Sequence, residues 1–274
     1  MGLGAKIAEE FIGQGASVLI CARGEEALRE CAAKLQDMAG PDQTVAAIVC
    51  DVARESDIDA LVVEALARFP HVDALVNNAG VYGPMGPIES VDWDGWKDAF
   101  VTNLFGTVYF CRAILPHFKK RGYGKIVNLS GGGATSPLPR ITAYAASKVG
   151  IVRMTETLSE EVKGLGIDIN AIAPGVLDTR LTDQFLGADP ETVGSALYTR
   201  VQELVAEGGD SIRKSAKLVA YLCSAASDGI SGRLIAALWD PWPDLARHKA
   251  DIMSGDIYTL RRIVPKDRGR DWGG

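Results

Sequence analysis

Residues 144–148 read Tyr144-Ala145-Ala146-Ser147-Lys148. On a helix, a spacing of four puts the phenol and the ammonium on one face, one turn apart. The surroundings favour a helix: Ala145, Ala146, Lys148, Met154, Leu158 and Glu160 are good formers, and no proline intervenes through Lys163. A tyrosine ordinarily titrates near ~10, too high for easy proton exchange at neutral pH. A lysine beside it favours the phenolate and is expected to lower that value. Such a pair is an acid/base device for a hydroxyl or carbonyl. Alone, the spacing is common and proves little.

Outward from this helix, apolar runs alternate with helical periodicity. On the carboxyl side, Ile167 to Ile172 reads as a strand ending at Pro174-Gly175, 180–207 as an irregular and partly helical excursion, Ser211 to Ser224 as a helix, and Arg233 to Leu238 as a last strand. On the amino side, Lys125 to Leu129 is a strand ending in Ser130-Gly131-Gly132-Gly133. A long helix over 92–120, expected to break before Pro116, precedes it. Earlier still are strands Val18–Ala22 (expected to be buried on both faces), Val45–Val49 and Val72–Val76, and helices at 5–14, 25–38 and Ser56–Phe69. Strands alternating with helices of ten or more residues predict an α/β fold with a doubly wound parallel sheet. No repeat or linker divides the chain, so residues 1–238 read as one domain. Residues 239–274 read as a charged extension packed on that domain or on a partner subunit, with one apolar cluster at Ile257, Tyr258, Leu260 and Ile263.

The 274 residues suffice for a substantial core, and the net charge of −6 offers no general attraction for nucleic acid or an anionic membrane. Cys21, Cys31, Cys50, Cys111 and Cys223 are odd in number and form no CxxC pair, which favours reduced thiols and a cytoplasmic setting. No apolar run approaches the ~18 residues of a membrane span, and no metal site is expected.

Open α/β sheets bind ligands at the carboxyl ends of their strands. Those ends carry Arg23, Asp51, Asn78-Ala79-Gly80, Ser130 and Pro174-Gly175. Each has a plainer reading. Asn-Ala-Gly and Pro-Gly make turns, Asp51 can cap a helix, and Arg23 can be a solvated loop residue. Together with Gly2-Leu3-Gly4, Asp51-Val52, Asn77-Asn78-Ala79-Gly80, Asn103, Tyr144-x-x-x-Lys148 and Pro174-Gly175-x-x-x-Thr179, the chain resembles a classical short-chain dehydrogenase/reductase from residue 2 to about residue 238. The resemblance implies a Rossmann-like three-layer α/β/α fold and hydride transfer between a nicotinamide and an alcohol or carbonyl substrate. It implies that Tyr144 is the general acid/base and that Lys148 lowers the tyrosine pKa and binds the nicotinamide ribose. Asn103 would hold a water in a proton relay; the plainer reading is a polar residue satisfied by backbone groups. Gly2, Leu3 and Gly4 would belong to the glycine motif, Asp51 and Val52 would contact the adenine, Asn78, Ala79 and Gly80 would flank it, and Pro174, Gly175, Leu177 and Thr179 would hold the carboxamide. A homodimer or homotetramer, formed through the helices bearing Asn103 and Tyr144, is likewise implied.

The second strand ends in Ala22-Arg23 with no carboxylate to read a ribose 2′-hydroxyl, and the guanidinium suits a 2′-phosphate, so NADP is favoured over NAD. Two features depart from the family pattern. The usual first strand and the first half of the glycine motif are missing, with only Gly2 and Gly4 matching, which suggests that Met1 is an internal methionine of a longer natural protein. The serine that usually orients the substrate oxygen, thirteen residues before the tyrosine, is Gly131 here, and Ser130 is the candidate to replace it through a one-residue shift in the flexible Gly131-Gly132-Gly133 loop. The leading expectation is an NADP-dependent oxidoreductase for a small alcohol or carbonyl compound. The alternative is a catalytically impaired relative that keeps the fold for binding or assembly. The loop residues Tyr82, Met85, Trp93, Phe185, Leu186 and Tyr198 are expected to shape a moderately apolar pocket.

Overall fold

The computed structural model describes residues 2–206 and 210–272. All six strands of the sequence reading occur within two residues of their expected ends, β6 being the most shortened. They are β1 (Val18–Ala22), β2 (Val45–Val49), β3 (Ala74–Asn77), β4 (Gly124–Leu129), β5 (Ile167–Ala173) and β6 (Leu234–Ala236). All pairings are parallel. β1 pairs with β2, aligning Val18 with Val45, and β3, β4, β5 and β6 form a four-stranded sheet in that order. Among the described residues no ladder joins the two sheets. This explains one difference from expectation: β1 is not buried on both faces, and only Val18 is fully enclosed.

Alternation along β4 sorts the core into layers. Ile126 faces helices α3 (Glu55–Arg68) and α5 (Gly106–Arg121), where Ile58, Leu61, Phe110, Ile114 and Phe118 close over it. Its neighbour Val127 faces the opposite side, against α1 (Leu3–Gly13) and α10 (Ser211–Leu222). All six residues of β4 are buried, as expected for the inner strand of a sheet covered on both faces. Helix α2 (Glu25–Met38) packs on β1 and β2 through Leu35 and the partly buried Cys31. Polar cross-links fix the strands further. Asn77 on β3 donates to Asn128 on β4 at 2.8 Å, and Asn128 donates to Thr155 at 2.9 Å. At the opposite end of the sheet the fully buried Lys125 ammonium lies between Asp168 at 2.7 Å and Asp228 at 2.6 Å.

The long helix is continuous from Trp93 to Arg121 and does not break before Pro116, which is accommodated inside α5. Its irregularity lies earlier, in a π-helical turn at Val101–Phe105 between α4 (Trp93–Phe100) and α5. There the Gly106 N–H bonds the carbonyl five residues back, and the Thr107 hydroxyl takes the Asn103 carbonyl at 2.8 Å. On length and composition alone this 29-residue helix is apolar enough to cross a bilayer. Its buried face, from Phe110 to Phe118, instead packs on α3 and β4 in the manner of a core helix.

Helix α6 (Thr142–Glu161) carries the Tyr144–Lys148 stretch. The excursion after β5 is three helices, α7 (Arg180–Leu186), α8 (Pro190–Val193) and α9 (Ser195–Ala206); position 207 lies outside the described residues. The extension after Trp239 is bound to the domain. Helix α11 (Lys249–Ser254) and the turn before it bury Ile252 and Leu245 beside α10, and Arg233 donates to the Ile252 carbonyl at 2.7 Å.

Candidate active site

The carboxyl ends of β3 and β4 meet the first two turns of α6. Lys148 is 4% exposed, and its ammonium donates to the Leu129 carbonyl oxygen at the end of β4, at 2.8 Å. A Cβ placed on Gly80, just beyond β3, would lie 3.3 Å from the Lys148 nitrogen and 3.5 Å from the Asn103 amide oxygen. Glycine there leaves the space above Lys148 open. Asn103 is fully buried because the π-helical turn swings it inward. Its amide donates to the Val81 carbonyl at 2.9 Å and to the Ser147 hydroxyl at 2.9 Å, and its oxygen accepts the Val81 N–H at 2.8 Å. Asn103 is therefore satisfied by backbone and Ser147, and its side chain acts as a clamp on the loop after β3.

Tyr144 lies one turn before Lys148, with the ammonium 5.6 Å from its ring centroid. The expected lowering of the tyrosine pKa by the lysine is not seen. Burial pushes the Tyr144 phenol up, with Tyr82 adding to the rise, and burial draws the Lys148 ammonium down to about 8. Lys148 spends a hydrogen bond on Leu129 and lies 5.6 Å from the centre of the tyrosine ring, and burial is the largest influence on the phenol.

The Ser130 hydroxyl is buried and donates to the Lys148 carbonyl at 3.3 Å, so its side chain is committed to the backbone of α6. Gly131 is the residue beside the Tyr144 phenol, and any Cβ there would overlap the Tyr144 hydroxyl. The pairing of the Ser130 N–H with Ile172 at 2.8 Å holds the register of the strand end.

The expected cofactor contacts are distributed along the same edge. A Cβ on Gly4 would lie 2.7 Å from the Asn78 side chain, which puts the first turn of α1 beside the end of β3. Gly2 caps α1 in an extended conformation with no side-chain hydrogen bond, which leaves that end to backbone N–H groups. Leu3 is 6% exposed and belongs to the core, so it can offer a ligand little beyond its backbone. Arg23 is exposed at the end of β1, and Asn78 and Ala79 are exposed at the end of β3. Asp51 accepts the Ala53 N–H at 3.1 Å in a tight turn, and the Val52 carbonyl abuts Gly106. Gly175 adopts φ +82, where a Cβ would also strike Leu238. Pro174 accepts the Ser215 hydroxyl at 3.1 Å, the buried Leu177 accepts Thr182, and Thr179 precedes α7 without capping it through its side chain.

Around the tyrosine the wall is aromatic. Tyr82 packs 4.8 Å from Tyr144 and 5.7 Å from Phe185, which stacks on Tyr198 at 6.4 Å. Met85 and Leu186 join this cluster. Trp93 does not: it is 59% exposed and stacks on Trp96 at 5.1 Å. The sequence reading missed Ser147 as the partner of Asn103, the Leu129 carbonyl under Lys148, and the closeness of Tyr82 to Tyr144. Only Ser147 left a signal, lying inside the stretch between the tyrosine and the lysine.

Residues 1–188 match the family model described as short chain dehydrogenase. The chain is 35% identical over 191 residues to an L-fucose dehydrogenase of Oryctolagus cuniculus, an alignment spanning 69% of this chain and 64% of that protein, so under two thirds of the relative's length is covered. Levodione reductase superposes with a TM-score of 0.77 at 28% identity, covering 86% of this chain and 91% of its own. An actinorhodin polyketide ketoreductase variant crystallised with NADPH superposes with a TM-score of 0.75 at 28% identity, covering 86% and 91%. Parallel strands, flanking helices, and the family match over more than half of the sequence agree, and the chain belongs to the classical short-chain dehydrogenase/reductase family.

Proposed function

We propose that the chain is an NADP-preferring oxidoreductase that interconverts an alcohol and a carbonyl compound, with Tyr144 as the general acid/base. One observation carries the reading: Gly80, Asn103 and Lys148 converge one helical turn from Tyr144, so closely that a Cβ on Gly80 would lie 3.3 Å from the Lys148 nitrogen and 3.5 Å from the Asn103 oxygen. An ammonium has three donors, and Lys148 gives one to Leu129, so two remain for a ribose diol. The residues thus fit a nicotinamide dinucleotide. Gly2 and Gly4 at the uncapped start of α1, Asn78, Ala79 and Gly80, Asp51 with Val52, and the 174–179 segment would hold it. When bound, the cofactor supplies or accepts the hydride. Tyr144 gives its proton to the substrate oxygen in reduction and takes it back in oxidation, and the Lys148 charge steadies the phenolate left behind. Phe185, Leu186, Tyr198 and Met85 exclude water from the phenol and accept an apolar substrate.

The experiment is a fluorescence titration with NADPH followed by reduction of benzil, an aromatic diketone. Binding without turnover of any carbonyl probe would favour the alternative of a binding or assembly protein. Exposed Arg23 supports the preference for a 2′-phosphate. Arg23→Glu is expected to raise KM for NADPH about 10- to 100-fold, the loss of one or two charge-assisted hydrogen bonds, and to leave KM for NADH within about threefold. Equal weakening of both cofactors would count against NADP.

The lysine sets an alkaline limit. Its charge is present below about 8 and lost above it, so kcat for reduction is expected to fall as pH rises through about 8. The folded-state pKa is depressed below the ordinary lysine value. Burial of Lys148 therefore weakens the fold most at pH below about 8, and the penalty fades as pH rises toward 10.5. Lys148→Arg keeps the charge, and its rate profile should lose this limb. An unchanged limb would mean that another group titrates there.

We expect the wild-type assembly to be a homo-oligomer formed through the outer faces of the long helix at its π-helical turn and of α6, where Phe105 and Val149 are 45% and 39% exposed. Sedimentation velocity tests it.

A further inference from the structure

We infer that Tyr82 is a second catalytic hydroxyl, donating a hydrogen bond to the substrate oxygen that Tyr144 protonates; the inference rests on the oxidoreductase reading above. A carbonyl oxygen gathers negative charge as hydride arrives, and one phenol cannot both surrender its proton and remain a full donor. A second preorganised donor is the usual remedy, and its removal typically costs about 10²- to 10³-fold in rate.

The candidates for that donor are few. Gly131, the loop residue nearest the Tyr144 hydroxyl, has no side chain and no room for one. Ser130 gives its hydrogen to the Lys148 carbonyl at 3.3 Å. Ser147 gives its hydrogen to the Tyr144 carbonyl at 2.8 Å and accepts from Asn103 at 2.9 Å. Tyr82 is the remaining hydroxyl packed on Tyr144, with ring centroids 4.8 Å apart and planes inclined at 54°. Among the described residues its hydroxyl has no hydrogen-bond partner, so the donor is free.

Its position is not accidental. Asn103 grips both the N–H and the carbonyl of Val81, at 2.8 Å and 2.9 Å, and so fixes the backbone from which Tyr82 projects. Phe185 buttresses the other side of the ring at 5.7 Å. Ala99 and Ala143 hold the next turn, where Gly83 at φ +73 leaves no space for a Cβ. Asn103 is thereby a positioning residue for Tyr82, through Val81, in addition to any role toward solvent. The wall beside the reactive phenol is then half polar. A substrate with an aromatic or otherwise flat apolar group next to its carbonyl fits that wall, stacked among Tyr82, Phe185 and Tyr198.

The test compares Tyr82→Phe with wild type in benzil reduction, alongside NADPH titration and thermal melting of each protein. The expected result is a fall in kcat of about 10- to 100-fold, with NADPH affinity and melting temperature unchanged. Fluorotyrosine at position 82, which keeps the shape and strengthens the donor, should retain kcat within about threefold; if it is as slow as Tyr82→Phe, the hydroxyl is not the cause and the inference fails. An unchanged kcat in Tyr82→Phe overturns it, as does a loss seen in Ser130→Ala and absent from Tyr82→Phe. Loss of NADPH binding or of thermal stability in Tyr82→Phe would mark the residue as structural and also overturn it. Full activity in Tyr144→Phe would instead overturn the role given to Tyr144, and wild type that binds NADPH but reduces no carbonyl probe would overturn the oxidoreductase reading beneath, so these failures are told apart.

Discussion

Replacing Tyr144 by Phe is expected to lower kcat/KM for carbonyl reduction about 10³-fold, within the 10²- to 10⁴-fold range of a lost general acid. The substitution removes one oxygen and keeps the ring, so the packing on Tyr82 and Phe185 survives. No hydrogen bond of the phenol holds the fold together among the described residues, and the melting temperature should hold steady. NADPH affinity should also be kept, because the ribose is assigned to Lys148, anchored independently on Leu129 at 2.8 Å. Water cannot take over easily in a pocket walled by Met85, Phe185, Leu186 and Tyr198. Stopped-flow measurement of NADPH oxidation with benzil checks the expectation. A variant that keeps more than a tenth of the wild-type rate would remove Tyr144 from the centre of the chemistry.

Gly166→Ala is expected to destabilise the fold by about 2–5 kcal/mol. Gly166 holds φ +71 at the entry to β5, a left-handed conformation costing a residue with a Cβ roughly 1–2 kcal/mol. A Cβ there would also lie inside the van der Waals envelope of the Gly122 carbonyl oxygen, and forced overpacking adds about 1–3 kcal/mol. The neighbourhood cannot yield cheaply. Gly122 is the left-handed cap of α5, and the Gly166 carbonyl accepts the Gly124 N–H at 3.1 Å where β4 begins. Moving either backbone would disturb the first pair of the β4–β5 ladder, Gly124 with Ile167. Urea unfolding at pH 7 measures the loss. Gly164→Ala is the control: it shares a positive φ, at +80, but meets nothing within 4 Å, so its cost should stay near the backbone contribution alone. Equal costs for the two would remove the steric argument.

The sequence announced the strands because each is a short apolar run bounded by turn residues, and β1 and β2 occur with the expected ends. It announced the long helix and misplaced its irregularity. Pro116 is the visible breaker, yet a helix can absorb a proline, whereas the π-helical turn at 101–105 has no compositional mark beyond an asparagine in a helical run. Within the candidate site, Tyr144, Lys148, Asn103 and Gly80 were legible because their spacing carries the chemistry. The directions of their side chains were not. Whether Lys148 leans to the phenol or to the Leu129 carbonyl, and whether Ser130 or Gly131 faces Tyr144, depends on where a strand ends relative to a helix face, which no local pattern encodes. Tyr82 was read as one pocket-lining residue among several; only the clamp of Asn103 on Val81 sets it apart.

The extension beyond Trp239 bears on a different property. Alternation along β6 sends the N–H groups of Leu234 and Ala236 away from β5, toward the open side of the sheet. Neither is left bare: the Tyr258 carbonyl takes the first at 2.8 Å, and the Asp240 carboxylate takes the second at 2.6 Å. Farther along, Glu156 on α6 accepts the Leu260 N–H at 2.6 Å and ties the segment down. An outer strand whose donors are already engaged cannot template a foreign strand. The last strand of the sheet is thereby guarded against runaway strand-to-strand growth, and the guard is irregular chain that offers no ladder of its own to continue.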